Sequence, residues 1–213
     1  MIKYLREPGS GLTHLLGAAL SVVALVLLLD HALSRQDVRG IVSFSVFGLS
    51  LVLLYAASAT YHLVVSSPRV ITRLRKLDHS MIYVLIAGTY TPVCLLVLND
   101  ALGIGLLVAA WSVAILGIGS RLCFSNIPRV VYTLAYVGMG LMALVAIRPL
   151  VVALSPAAVL WLMVGGGCYL LGALIYLFKK PNLIPKWLDF HVIFHLFVLL
   201  GSASHFIFVY RYC

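Results

Sequence analysis

The sequence predicts an all-α integral membrane protein: a single domain, residues 1–213, folded as a seven-helix transmembrane bundle with its N-terminus cytoplasmic and its C-terminus outside. Three observations predict it. Hydrophobic residues make up 63% of the chain and charged residues only 10%, against about 25% charged in an ordinary soluble domain. A water-soluble globule has nowhere to bury so much apolar surface. The apolar residues fall into seven separate segments, each near the ~20 residues needed to cross a bilayer. Finally, the basic residues gather on alternate connections between those segments.

The segments run Leu12–Leu33, Ile41–Val65, Asp78–Leu98, Leu102–Leu122, Val130–Ile147, Ala157–Phe178 and Leu188–Tyr210. Backbone polar groups in hydrocarbon must be satisfied within their own segment, so each reads as a helix. Short connections make sequential spans antiparallel. The first span follows a basic stretch, Met1-Ile-Lys-Tyr-Leu-Arg-Glu7. It is too long for the core of a signal peptide and is expected to be uncleaved. Thr91-Pro92 late in the third span predicts a kink, because proline lacks the amide hydrogen. Glycines recur as Gly103-x-Gly105, Gly117-x-Gly119, Gly138-x-Gly140 and Gly165–Gly167, where close helix contact is expected. The cysteines, Cys94, Cys123, Cys168 and Cys213, show no paired spacing and read as core residues or free thiols.

Orientation follows from the bases. Eleven of the 15 Lys and Arg residues lie on the side of the N-terminus: Lys3, Arg6, Arg69, Arg73, Arg75, Lys76, Arg121, Arg129, Lys179, Lys180 and Lys186. The other four are Arg35, Arg39, Arg148 and Arg211. The positive-inside rule then predicts a cytoplasmic N-terminus. The formal net charge of +9 accordingly reads as cytoplasmic loops rather than a nucleic-acid surface, and the expected location is a bacterial plasma membrane crossed several times.

The seventh segment carries three histidines, which hydrocarbon tolerates only with partners or beside a wet cavity. His191 and His195 lie one turn apart on one helix face, close enough to grip one ion. The second span runs toward the cytoplasm and ends with Ser58 and His62, again one turn apart. The third begins there with Asp78. Imidazoles, a carboxylate and a hydroxyl therefore converge at one level of one leaflet. Three neutral imidazoles with a free fourth position form the pattern of a catalytic zinc site. Asp78 would serve as its general base and Ser58 would hold water or a substrate oxygen. The N-termini of spans three and seven are expected to point their partial positive charge at this level. Each member also has a plainer reading alone. A lone H-x-x-x-H can bridge helices by hydrogen bonds, Asp78 can cap a helix, and Ser58 can bond its own helix carbonyl. Glu7 and His14 share a face and are read as pairing with each other or with an arginine at the rim, a structural role being preferred over support of the site's ligands. His79 is expected to face loops or headgroups. His205, about 15 Å deeper than His195, reads as a buried hydrogen-bonded side chain.

Three stretches in order, S-A-T-Y-H at 58–62, L-D-H-S-M-I-Y-V-L-I-A-G-T-Y-T-P at 77–92 and H-V-I-F-H-L-F-V-L-L-G-S-A-S-H-F at 191–206, resemble the bacterial hemolysin III proteins. Those belong with the progestin and adiponectin receptors and the alkaline ceramidases. The resemblance implies a seven-helix fold with zinc on His62, His191 and His195, and Ser58 and Asp78 beside it. It departs in one place: Ser10 stands where the family often has asparagine after Glu7. Three functions follow as expectations: a zinc-dependent hydrolase of a lipid amide or ester, acting on membrane lipids; a receptor or regulator of membrane state with structural zinc; and a pore-forming cytolysin. The last fits least, since a conducting path needs polar residues at all depths.

Overall fold

A computed structural model describes residues 5–124, 126–184 and 187–213. Lys3 and Lys186, counted in the charge bias, lie outside the described residues. Seven helices are long and apolar enough to cross a membrane: Pro8–Ser34, Val38–Leu63, Pro68–Leu98, Ala101–Cys123, Arg129–Ala153, Pro156–Phe178 and Phe190–Tyr212, here spans one to seven. No strand occurs among the described residues. Proline at the first turn opens spans one, three and six, where its missing amide hydrogen costs nothing. Asp100, Ser155 and Asp189 cap spans four, six and seven with side-chain oxygens.

The third span differs most from its sequence expectation. It begins at Pro68, so Asp78 is not its first residue but lies nearly three turns inside. Residues 68–77 carry Arg69, Arg73, Arg75 and Lys76 and so fall below any apolar threshold, yet nothing in them breaks a helix. Asp78 therefore sits about 15 Å from the helix start, so span three, contrary to the sequence expectation, brings no helix N-terminus to the site. At its other end Pro92 does not stop the helix. A π-helical turn, Val93–Leu98, follows and ends at Asn99, which takes the left-handed conformation (φ 42°). Proline removes one ladder bond and crowds the carbonyl four residues back, and the wider turn absorbs that disruption. Span five is similarly interrupted by a 3₁₀ stretch, Met142–Ala146.

Span one lies along span two, two along three, three along four, and six along seven, with span one closing against span seven. Spans two, three and seven are the interior elements: 56%, 50% and 50% of their most apolar windows are buried, against 28% or less for the others. Phe44, Phe47, Leu51, Leu54, Tyr83, Leu85 and Phe208 form much of the core between them. The glycine pairs contribute one member each at most. Gly103, Gly117 and Gly165 are packed against neighbours, whereas Gly105, Gly119, Gly138, Gly140, Gly166 and Gly167 have nothing within 4 Å of a Cβ position. Equally close helix approaches fall outside the pairs, at Gly11, Gly17, Gly48 and Gly88.

Candidate metal centre

The three interior spans carry the polar residues singled out above. His62 lies in the last turn of span two, and His191 and His195 lie in the first two turns of span seven. Their ring nitrogens offer one ligand atom each, all within 4.8 Å of one another. The Nε2 atoms of His62 and His191 are 3.3 Å apart. Ring centroids are separated by 4.9 Å for His62–His191, 4.9 Å for His62–His195 and 4.6 Å for His191–His195. His62 and His195 are 1% and 2% exposed. This buried triad could hold a metal ion.

The outer nitrogens of two of these rings are already committed. Glu7 accepts a hydrogen bond from His62 Nδ1. The Ser10 carbonyl accepts from His195 Nδ1 at 3.2 Å. Such bonds fix the tautomer, leaving each Nε2 with its lone pair free, and they hold the ring plane. Burial works against ionisation of Glu7, but the hydrogen bond and charge of His62, with Arg6 beside it, outweigh it and hold the carboxyl below its ordinary range. Glu7 is therefore a carboxylate, hence an acceptor, at neutral pH.

The N-terminal segment is pinned to do this. The Glu7 amide donates to the His62 carbonyl at 3.0 Å, and Gly11 lets span one press on Leu63. Of the two sequence expectations for Glu7, the arginine is met by Arg6 at 3.5 Å and the pairing with His14 is not; His62 is the partner the sequence did not name. His14 instead stacks on His195, with centroids 3.5 Å apart and planes within 10°. It also meets the edge of Tyr55 at 4.9 Å. Ser10 acts through its backbone, so the absence of asparagine there does not remove this contact.

Asp78 is buried beside the triad but outside the 4.8 Å cluster of ligand atoms. Ser58 is buried near it, and the carboxylate lies within electrostatic range of His62. Asp189, absent from the sequence-level site, accepts the amides of His191 and Val192 at 3.0 Å. It caps span seven and sets the start of the helix that carries two imidazoles. His205 stays remote, with Nε2 3.4 Å from the Leu162 carbonyl and its ring against Gly165. His79 does not face loops or headgroups. Its Nδ1 accepts from Arg121, and its backbone carbonyl accepts from the Tyr136 hydroxyl at 2.9 Å.

A cavity of about 440 Å³ opens from the triad to the membrane face that carries the N-terminus. His62, His191, Glu7, His79, Arg75, Arg121 and Arg129 are among its walls. The arginines were read from the sequence only as loop charges. The signal that could have separated Arg121 is its place in an otherwise apolar span, two residues before the end of span four.

Comparison with known proteins agrees with this architecture. Residues 2–206 match the family described as haemolysin-III related. The chain is 41% identical to the hemolysin-3 homolog of Bacillus subtilis (strain 168) over 207 residues, covering 97% of this chain and 94% of that protein. It is 40% identical to hemolysin-3 of Bacillus cereus over 214 residues, covering 100% and 94%. With seven spans and this likeness along nearly its whole length, the chain is a multi-pass bacterial membrane protein and belongs to the hemolysin III family.

Proposed function

We propose that the protein is a zinc-dependent hydrolase of a lipid amide or ester. The observation that carries this reading is the spacing and support of the imidazoles. Two nitrogens sharing one tetrahedral zinc at 2.0–2.1 Å lie about 3.3–3.4 Å apart, and His62 and His191 present Nε2 atoms 3.3 Å apart. The acceptors on the Nδ1 atoms of His62 and His195 are the carboxylate and carbonyl that accompany zinc-bound histidine. The all-nitrogen donor set suits zinc.

Bound there, zinc supplies Lewis acidity and makes water a nucleophile near neutral pH. Asp78 takes the proton of the attacking water as its oxygen bonds the acyl carbon. The same proton passes to the departing nitrogen or oxygen as that bond breaks. Ser58, buried near Asp78, holds the water or a substrate oxygen. The basic bias of this end of the bundle supports a cytoplasmic site just below the headgroups, where a lipid can present its carbonyl while its chains remain in the bilayer.

The test pairs metal content with turnover. Purified wild type should hold about one zinc per chain, and His191→Ala with His195→Ala should hold none. Asp78→Asn should keep its zinc while losing at least about a hundredfold in hydrolysis of N-acyl or O-acyl lipids. Zinc-loaded wild type that turns over no lipid in such a panel overturns the hydrolase reading. The ion would then be a strut between spans two and seven, as a receptor or regulator of membrane state would use it.

A further inference from the structure

We propose that the cavity above the triad is a phosphate-binding subsite formed by Arg75, Arg121 and Arg129, which receives the head group of an anionic lipid. The inference extends the hydrolase reading by giving the substrate a phosphate. Its test reads binding and not turnover, so the two can fail separately.

Arg121 carries the argument. It is only 5% exposed, and its Nε has no hydrogen-bond partner. One terminal nitrogen donates to His79 Nδ1, and the guanidinium lies over Tyr132, 4.6 Å from the ring centroid. A neutral imidazole and a ring face do not neutralise a cation. The carbonyl end of span four eases the charge but leaves Nε unsatisfied. A buried cation without an anion is costly, and proteins ordinarily pair it.

Arg129 opens span five. It donates to the Tyr176 carbonyl at 3.1 Å and stacks at 4.9 Å from the Tyr176 centroid. Arg75 reaches the same cavity from span three and is exposed. Among the described residues, no carboxylate lies within 4.0 Å of these three guanidiniums. The two carboxylates in the cavity wall are already engaged: Glu7 with His62 and Arg6, and Asp189 as the cap of span seven. The cavity thus gathers three guanidiniums from three helices with no ion pair among the described residues; the buried Asp78 carboxylate meets Arg121 only at longer electrostatic range. Guanidinium forks match the oxygens of phosphate in geometry and charge. Three forks from different directions suit a group with three terminal oxygens better than a carboxylate with two.

The experiment is thermal unfolding of the full-length protein in a non-ionic maltoside. One arm titrates inorganic phosphate, with chloride at matched ionic strength as the control. The other titrates a monoacylglycerol phosphate against the corresponding monoacylglycerol. A saturable rise in Tm is expected for the phosphate lipid and none for the neutral lipid. Apparent affinity should fall at least about tenfold in Arg121→Gln and Arg129→Gln, and stay unchanged in Arg148→Gln at the opposite end. Saturation by inorganic phosphate as well would show that the head group suffices; response to the lipid alone would show that the acyl chain is also needed. Either result supports the subsite. Should Arg121→Gln fail to fold, Arg75→Gln, at an exposed position, must show the weakening. No saturable response to either probe, or wild-type affinity in the variants, overturns the proposal.

Discussion

Glu7 is the smallest unit at which span one touches the candidate chemistry. A carboxylate on the outer nitrogen of a ligating histidine raises its basicity and fixes its plane, and loss of such a partner typically costs about 10–100-fold in metal affinity. Glu7→Gln should therefore release the ion about 10–100-fold more readily in competition with a chelator, with little change in helix content. Equal retention by wild type and variant would mean that Glu7 does not position His62. His14 is a different case. Both of its ring nitrogens are buried without partners, so its contribution rests on the face it lays on His195. His14→Phe keeps an aromatic face there and should retain the metal. His14→Ala opens a cavity beside His195 and should lower stability by about 2–4 kcal/mol, measured as a fall in unfolding temperature. The triad itself was legible because a period of four residues puts polar groups on one helix face. Glu7 and His14 were legible as one face of span one near the site, but their partners His62 and His195, and the role of the Ser10 carbonyl, were not, because which side of span one meets spans two and seven is a matter of packing.

Helix contacts in this fold are set by a few positions where a side chain has no room. A Cβ at Gly17 would stand 2.7 Å from both Leu199 and Tyr55, one turn from the stacked His14. Gly17→Val should push span one off spans two and seven and cost about 1–3 kcal/mol, visible as a lower unfolding temperature. Gly119→Ala, with nothing within 4 Å, should be neutral or slightly stabilising, since alanine favours helix. A reversed order would mean that span one is not held by this contact. Spacing of the G-x-G type was a poor guide here. It marks where a helix can be approached, whereas the partner decides which glycine is used. The start of span three was misplaced for a related reason: an apolar window cannot see a basic helical extension that rides outside the hydrocarbon.

Across the whole molecule, the candidate centre joins the end of span two to the start of span seven, with span one clamped over both. An ion bound only by the folded state stabilises it by about 2.7 kcal/mol at a hundred times its Kd. Chelation of the wild type should therefore lower the unfolding temperature, while the His191→Ala, His195→Ala variant should show no response to chelator. Orientation is tested separately. Ser34→Cys lies at the end opposite the triad, and the native Cys123 at the same end as it; both positions are exposed. An impermeant thiol reagent on intact cells should label Ser34→Cys and reach Cys123 only after permeabilisation. The reverse pattern would put the candidate site outside.

Class, number of spans and the level at which His62, His191 and His195 meet were determined by the sequence alone. Hydrocarbon forces each apolar stretch to be a helix, and antiparallel helices with short loops leave little freedom in depth. What only the tertiary structure decided is rotation and neighbourhood: that Glu7 and the Ser10 carbonyl back the imidazoles, that His14 stacks on His195, and that Arg75, Arg121 and Arg129 share one cavity with the triad. Periodicity specifies a position along a helix and around it, but the choice of facing partner comes from side-chain packing between spans distant in the chain.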